Sequence, residues 1–161
     1  MTSSTADRQL AEAGRALADA VVAAVPGWMV RAVLSVADAW QAAGHTLATP
    51  AVAQQAADAA RQVADQVAAR LYPLVEADVD DQRTTPLAVV RASLGPATAV
   101  LRRAGVAPVE RDDVAARMFP DDDYGLVPAS LAAVAPDLGD LGVAWGAAKA
   151  MAHRARHRHG G

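Results

Sequence analysis

Three consecutive carboxylates, Asp121, Asp122 and Asp123, form the longest unbroken acidic run in a chain of 161 residues. Carboxylates on a turn can hold a hard cation such as Ca²⁺ or Mg²⁺. A calcium loop of the EF-hand type needs ligands at alternate positions, Gly at the sixth and Glu at the twelfth. Here Asp121, Asp123 and Gly125 are out of that register, and no Glu follows. Adjacent carboxylates repel, and burying them together without a cation is costly. The expectation is therefore a solvated acidic turn with no metal. Phe119 and Tyr124 flank it, either pinning the loop to the body of the protein or offering an anchor to a partner. Asp78, Asp80 and Asp81 make a second acidic run, read in the same way.

His153 and His157 are four residues apart and share a face on a continuous helix, a spacing that suits a transition metal. No acid lies nearby in sequence to orient the imidazoles. The expectation is a frayed basic tail over 154–161, as chain ends often are. Within it, Arg154 and His159 fit an Arg, four residues, His pattern. This resembles the motif of HEPN-type helical ribonucleases. The resemblance spans six residues and implies that Arg154 and His159 act at a scissile phosphate, on a packed helix at a dimer cleft.

Other chemistry is thinly supplied. There is no Cys, which excludes disulfides and thiolate chemistry. No P-loop, dinucleotide fingerprint or zinc knuckle is present, and no cofactor is expected. His45 sits in a connector, and Ser35, Ser93 and Ser130 lack a nucleophile-elbow context. Trp28, Trp40 and Trp145 fall on apolar stripes, where aromatics fill a core or line an apolar ligand pocket between helices. Gly139, Gly142 and Gly146, spaced by three and four, read as close helix packing.

The elements that must position these residues are helical. Alanine abounds, Ile is absent, and strand-forming residues are few. Leu10, Gly14, Leu17, Val21 and Val25 mark one face of a helix over 6–25. Pro26-Gly27 is expected to interrupt it, since Pro lacks an N–H and crowds the preceding turn. A second helix follows over 28–43, stopped by Gly44. Thr49-Pro50 starts a third over 50–72, and Thr85-Pro86 starts a fourth over 86–104. Pro73 should end or kink the third helix, Gly95-Pro96 should kink or briefly break the fourth, and Gly105 should stop it. A short helix ends near Met118, residues 119–127 form a loop, one or two helical turns lie within 128–134, and a last helix begins near 138–141.

The fold class expected is all-α: an antiparallel bundle of four longer helices with a C-terminal extension of two short helices and one longer helix. It makes a single domain over 1–161, with a frayed start over 1–5, a core over 6–105, a Pro-punctuated extension over 106–153 and the tail.

Net charge is −3, with −3 over residues 1–100, −3 over 101–150 and +3 over the last eleven. A mildly acidic body is a poor nucleic-acid surface, so no specific nucleic-acid partner is expected. The N-terminus lacks the basic start of a secretory signal. The run from Ala20 to Val30 is shorter than the ~20 apolar residues of a span. A cytoplasmic protein without a membrane span is expected.

The leading reading is a non-enzymatic interaction module for a protein partner, with a second copy of the chain (a homodimer) as one candidate. The next is a binding module for a small apolar ligand, and the third is the ribonuclease. The candidate binding residues are Phe119, Asp121, Asp122, Asp123, Tyr124, Trp40 and Trp145.

Overall fold

The computed structural model describes residues 5–76 and 85–160, apart from the side chains of Ala115, His159 and Gly160. The acidic run at Asp78, Asp80 and Asp81 lies outside the described residues. Among the described residues the chain is all-helical, with seven helices and no strand.

The first helix, α1, runs Thr5–Ala42 and passes through Pro26. The two helices expected over 6–25 and 28–43 are one. Pro26 withholds a hydrogen bond from the preceding turn, and an interior Pro costs about 3 kcal/mol. Against that stands an unbroken stripe. Leu17, Val21, Val25, Met29 and Val33 are all 0% exposed. Each such side chain contributes about 1.5–3 kcal/mol on full burial. The stripe on both sides of Pro26 therefore outweighs the local penalty. One consequence concerns membranes: without a break, α1 is long and apolar enough to cross one by length and composition. In the fold its stripe packs chiefly on α2, Val52–Val75, and α7, Pro136–Gly160.

Gly44 ends α1 as expected. Its φ is +96°, a conformation that Gly adopts without a Cβ clash. The His45 N–H reaches the Trp40 carbonyl (3.3 Å), and the Gly44 N–H reaches that of Gln41 (3.0 Å). This paired geometry is a Schellman motif, which satisfies carbonyls a helix end leaves open.

The two Thr-Pro signals diverge. Thr85 caps α3, Pro86–Ala92, by accepting the Ala88 N–H (3.2 Å). Thr49 caps nothing: α2 begins at Val52 with no side-chain cap, and the Thr49 hydroxyl is buried without a partner. The connector is held instead by the Ala48 N–H on the Ala104 carbonyl (2.8 Å). A tertiary bond overrides the local signal there. At its other end α2 runs past Pro73 to Val75, whose buried side chain meets Gly14 of α1.

The expected break in the fourth helix is present. α3 ends at Ala92 and α4 runs Gly95–Arg103. The Arg70 guanidinium of α2 donates to the Ala92 carbonyl (2.8 Å), satisfying one exposed end. Two short helices follow, α5 over Asp113–Met118 and α6 over Leu131–Val134. α7 then continues through Gly160, so the segment read as a frayed tail is helical. α7 is the second main partner of α1.

Candidate functional site

One face of α7 carries Gly139, Gly142, Gly146 and Ala150 at steps of three and four, which align on a helix. The first two glycines let α6 approach. A Cβ on Gly139 would stand 2.8 Å from the Cβ of Ala132, and one on Gly142 would stand 2.9 Å from Leu131 Cδ1. At Gly146 a Cβ would meet nothing within 4 Å. The stripe thus continues past α6 with no cover.

Trp145 lies beside it, 7% exposed. Its indole nitrogen edge faces α1, where a Cβ on Gly14 would be 3.3 Å from Nε1 and 2.9 Å from Val75 Cβ. Gly14 is therefore the gap that lets α1, the end of α2 and α7 meet. Lys149, one turn on from Trp145, places Nζ 4.4 Å from its ring centroid, within cation–π range.

These residues, with Pro86 and Leu87 of α3, enclose an open groove of about 580 Å³. Val143 stands on its rim, 75% exposed. Thr85 and Ser130 also line it, but each hydroxyl already accepts a helix-start N–H, from Ala88 and Ala133. Among the described residues no carboxylate or imidazole lines the groove. Its described surface can bury apolar groups and carries the Lys149 ammonium over the Trp145 ring, and no general acid–base pair is among its described residues.

The other candidate residues do not converge on it. Trp40, expected on a buried stripe, is only half-buried. It stacks on His45 (centroids 3.7 Å apart, planes 16° apart) because the turn at Gly44 folds His45 back over it. Both line a second hollow of about 430 Å³ that reaches Tyr124.

The acidic loop departs from the expectation of three solvated carboxylates. Asp121 is exposed, but Asp122 is 4% exposed. One Asp122 carboxylate oxygen accepts the Leu126 N–H (2.7 Å) and the other the Val127 N–H (2.9 Å). Two backbone donors replace water, and the Arg91 guanidinium is near enough to act on the same charge. Asp123 pairs with Arg102 (2.8 Å) and more distantly with Arg111 (3.9 Å). Tyr124 is buried and donates its hydroxyl to the Val106 carbonyl (2.7 Å). Burial holds its phenol above the usual pKa of tyrosine. Phe119 packs its ring under the Arg91 guanidinium, 3.8 Å from the centroid.

On α7, His153 and His157 share a face, with ring centroids 4.3 Å apart. Arg156 reaches Asp7 of α1 (3.5 Å). Arg154 is exposed, and the side chain of His159 lies outside the described residues, so the ribonuclease-like pair is not brought together by anything described. Among the described residues no three His, Asp or Glu side chains are grouped to hold a metal ion.

No family model, curated protein or solved structure matches the chain. The groove beside Trp145 is thus defined by its own geometry.

Sequence reasoning singled out Trp145 and the glycine spacing but missed Lys149, Leu131 and Ala132. The four-residue step from Trp145 to Lys149 was a usable signal. Which glycine α6 leaves bare was not, because that depends on where α6 stops.

Proposed function

We propose that the protein is a non-enzymatic, cytoplasmic interaction module that holds an apolar helix of a protein partner in the groove between α3, α6 and α7. The observation that carries this reading is the uncovered glycine. α6 packs on the Gly139–Gly142 half of the stripe, and the same stripe runs on at Gly146 and Ala150 with space above it. A helix continuing the line of α6 meets the same small-residue surface, so the internal contact is a template for the external one. Close approach of two helices over small residues gains dispersion contacts without a cavity.

The openness of the groove favours a partner helix over a small ligand. Ligand sites bury about 70–90% of a drug-sized molecule. A small molecule lying here keeps one side wet, whereas a helix covers both the groove and the exposed Val143. The stripe of α1 is taken up by α2 and α7, which supports the reading without a membrane span.

The test uses a labelled amphipathic Leu/Ala helical peptide and fluorescence anisotropy. Saturable binding is expected, and Gly146→Arg should weaken it about tenfold or more, a loss of ~1.4 kcal/mol. Because Gly146 is open, the variant keeps its fold, checked by its melting temperature. Failure of the peptide, with Gly146-dependent binding of anilinonaphthalene sulfonate, transfers the groove to a small apolar ligand. Self-association lost in Gly146→Arg makes a second copy of the chain the occupant.

A further inference from the structure

A third hollow, of about 480 Å³, is lined by α3 and α4 and has a different chemistry. Arg91, Arg102 and Arg103 line it together with Gly95 and Thr98, and Asp121 is the one carboxylate among the described residues that line it. Gly95, Thr98, Ala99 and Arg102 follow at helical spacing, so the hollow runs along one face of α4 for two turns, about 10 Å. α4 begins there with no side-chain cap, leaving a partial positive charge at the Gly95 end.

The neighbouring carboxylates are already engaged, and between them they only partly offset the three guanidinium groups: Asp122 acts on Arg91 and Asp123 pairs with Arg102. Asp122 spends both oxygens on backbone N–H groups. Asp123 serves Arg102 and Arg111 at once. Arg91 is half-buried, stacks on Phe119 and donates to the Pro128 carbonyl (2.8 Å). Its Nε–H is buried with no acceptor. Burial pulls its pKa below the usual arginine value, the direction expected of a cation stripped of water without full compensation. Arg103 is exposed. A partly desolvated guanidinium beside two more, over a helix start, is the chemistry that recognises a phosphoryl group.

We infer that the hollow formed by Arg91, Arg102, Arg103 and the start of α4 is a binding site for a small phosphate-bearing anion. Asp121 at its edge opposes the ligand's charge and limits affinity. Removing a cation and removing the acid therefore act in opposite directions.

The experiment is calorimetric titration of the full chain with diphosphate, inorganic phosphate and sulfate at constant ionic strength. Saturable binding is expected, tightest for diphosphate. Arg103→Gln should weaken it about three- to tenfold, and Asp121→Asn should strengthen it about threefold, in line with single partly screened charges. Both residues are exposed, so both variants fold, and their melting temperatures check this. Equal heats from all three salts, unaffected by Arg103→Gln, mean an adventitious ion only and overturn the proposal. So does an Arg103-dependent preference for a short single-stranded oligonucleotide over diphosphate, because the site would then belong to nucleic acid.

Discussion

Asp122 and Asp121 are neighbours of the same type with opposite environments, so the pair separates charge from context. Asp122 anchors the loop by accepting two backbone N–H groups inside the fold. Hydrogen bonds to a charged group contribute about 1.5–3 kcal/mol. Asp122→Ala should therefore cost about 3–6 kcal/mol in urea unfolding, since two such bonds are lost. Asp121→Ala should stay within about 0.5 kcal/mol, as exposed positions do. Equal effects at the two positions would contradict this assignment. Tyr124 supplies the loop's pH dependence. Its folded-state pKa is raised, so ionisation favours the unfolded chain. Its contribution is complete below the unfolded tyrosine value near pH 10 and is lost as pH rises toward the folded value. Tyr124→Phe should flatten the fall in melting temperature above about pH 10 while lowering the neutral-pH stability by about 1 kcal/mol, for the lost bond to Val106. The loop and its aromatic anchor were legible in sequence from Pro120, Gly125 and the flanking rings. The burial of one Asp among three was not, because it depends on how the backbone at Leu126 and Val127 turns back.

Helix ends were legible where a residue type is forced by backbone geometry, and less so where packing chooses. Gly44 and Gly105 stop helices because each takes a positive φ that other residues resist. Pro26 reads as a break in sequence because its penalty is local, whereas the stripe that outweighs it spans both sides. If α1 tolerates Pro26 only because Leu17 to Val33 are buried, restoring the missing hydrogen bond should help. Pro26→Ala should raise stability by about 1–3 kcal/mol, seen as a higher midpoint in denaturant. A lower midpoint would mean that the stripe needs the bend Pro imposes. The two Thr-Pro starts give a matched comparison. Thr85→Ala should cost about 1 kcal/mol as a lost N-cap. Thr49→Ala should be neutral or stabilising, because its hydroxyl is buried with no partner.

The whole molecule is organised by small residues at contacts between helices. Gly14 admits Val75 and Trp145, and Gly139 and Gly142 admit α6. The all-helical class was readable from composition and periodicity. The arrangement was not, since the pairing of α7 with α1 joins segments at opposite ends of the chain. The groove beside Trp145 exists because α6 is four residues long and leaves the end of the stripe bare. Its use as a helix-docking surface is the central claim. Amide hydrogen exchange with and without the amphipathic peptide tests it most directly, because protection reports where backbone is ordered or covered. A helix docked in the groove slows exchange over residues 142–150 and 129–132, an effect absent in Gly146→Arg, with α2 unchanged. Protection centred on the Trp40–His45 hollow, or no protection at saturating peptide, would contradict it.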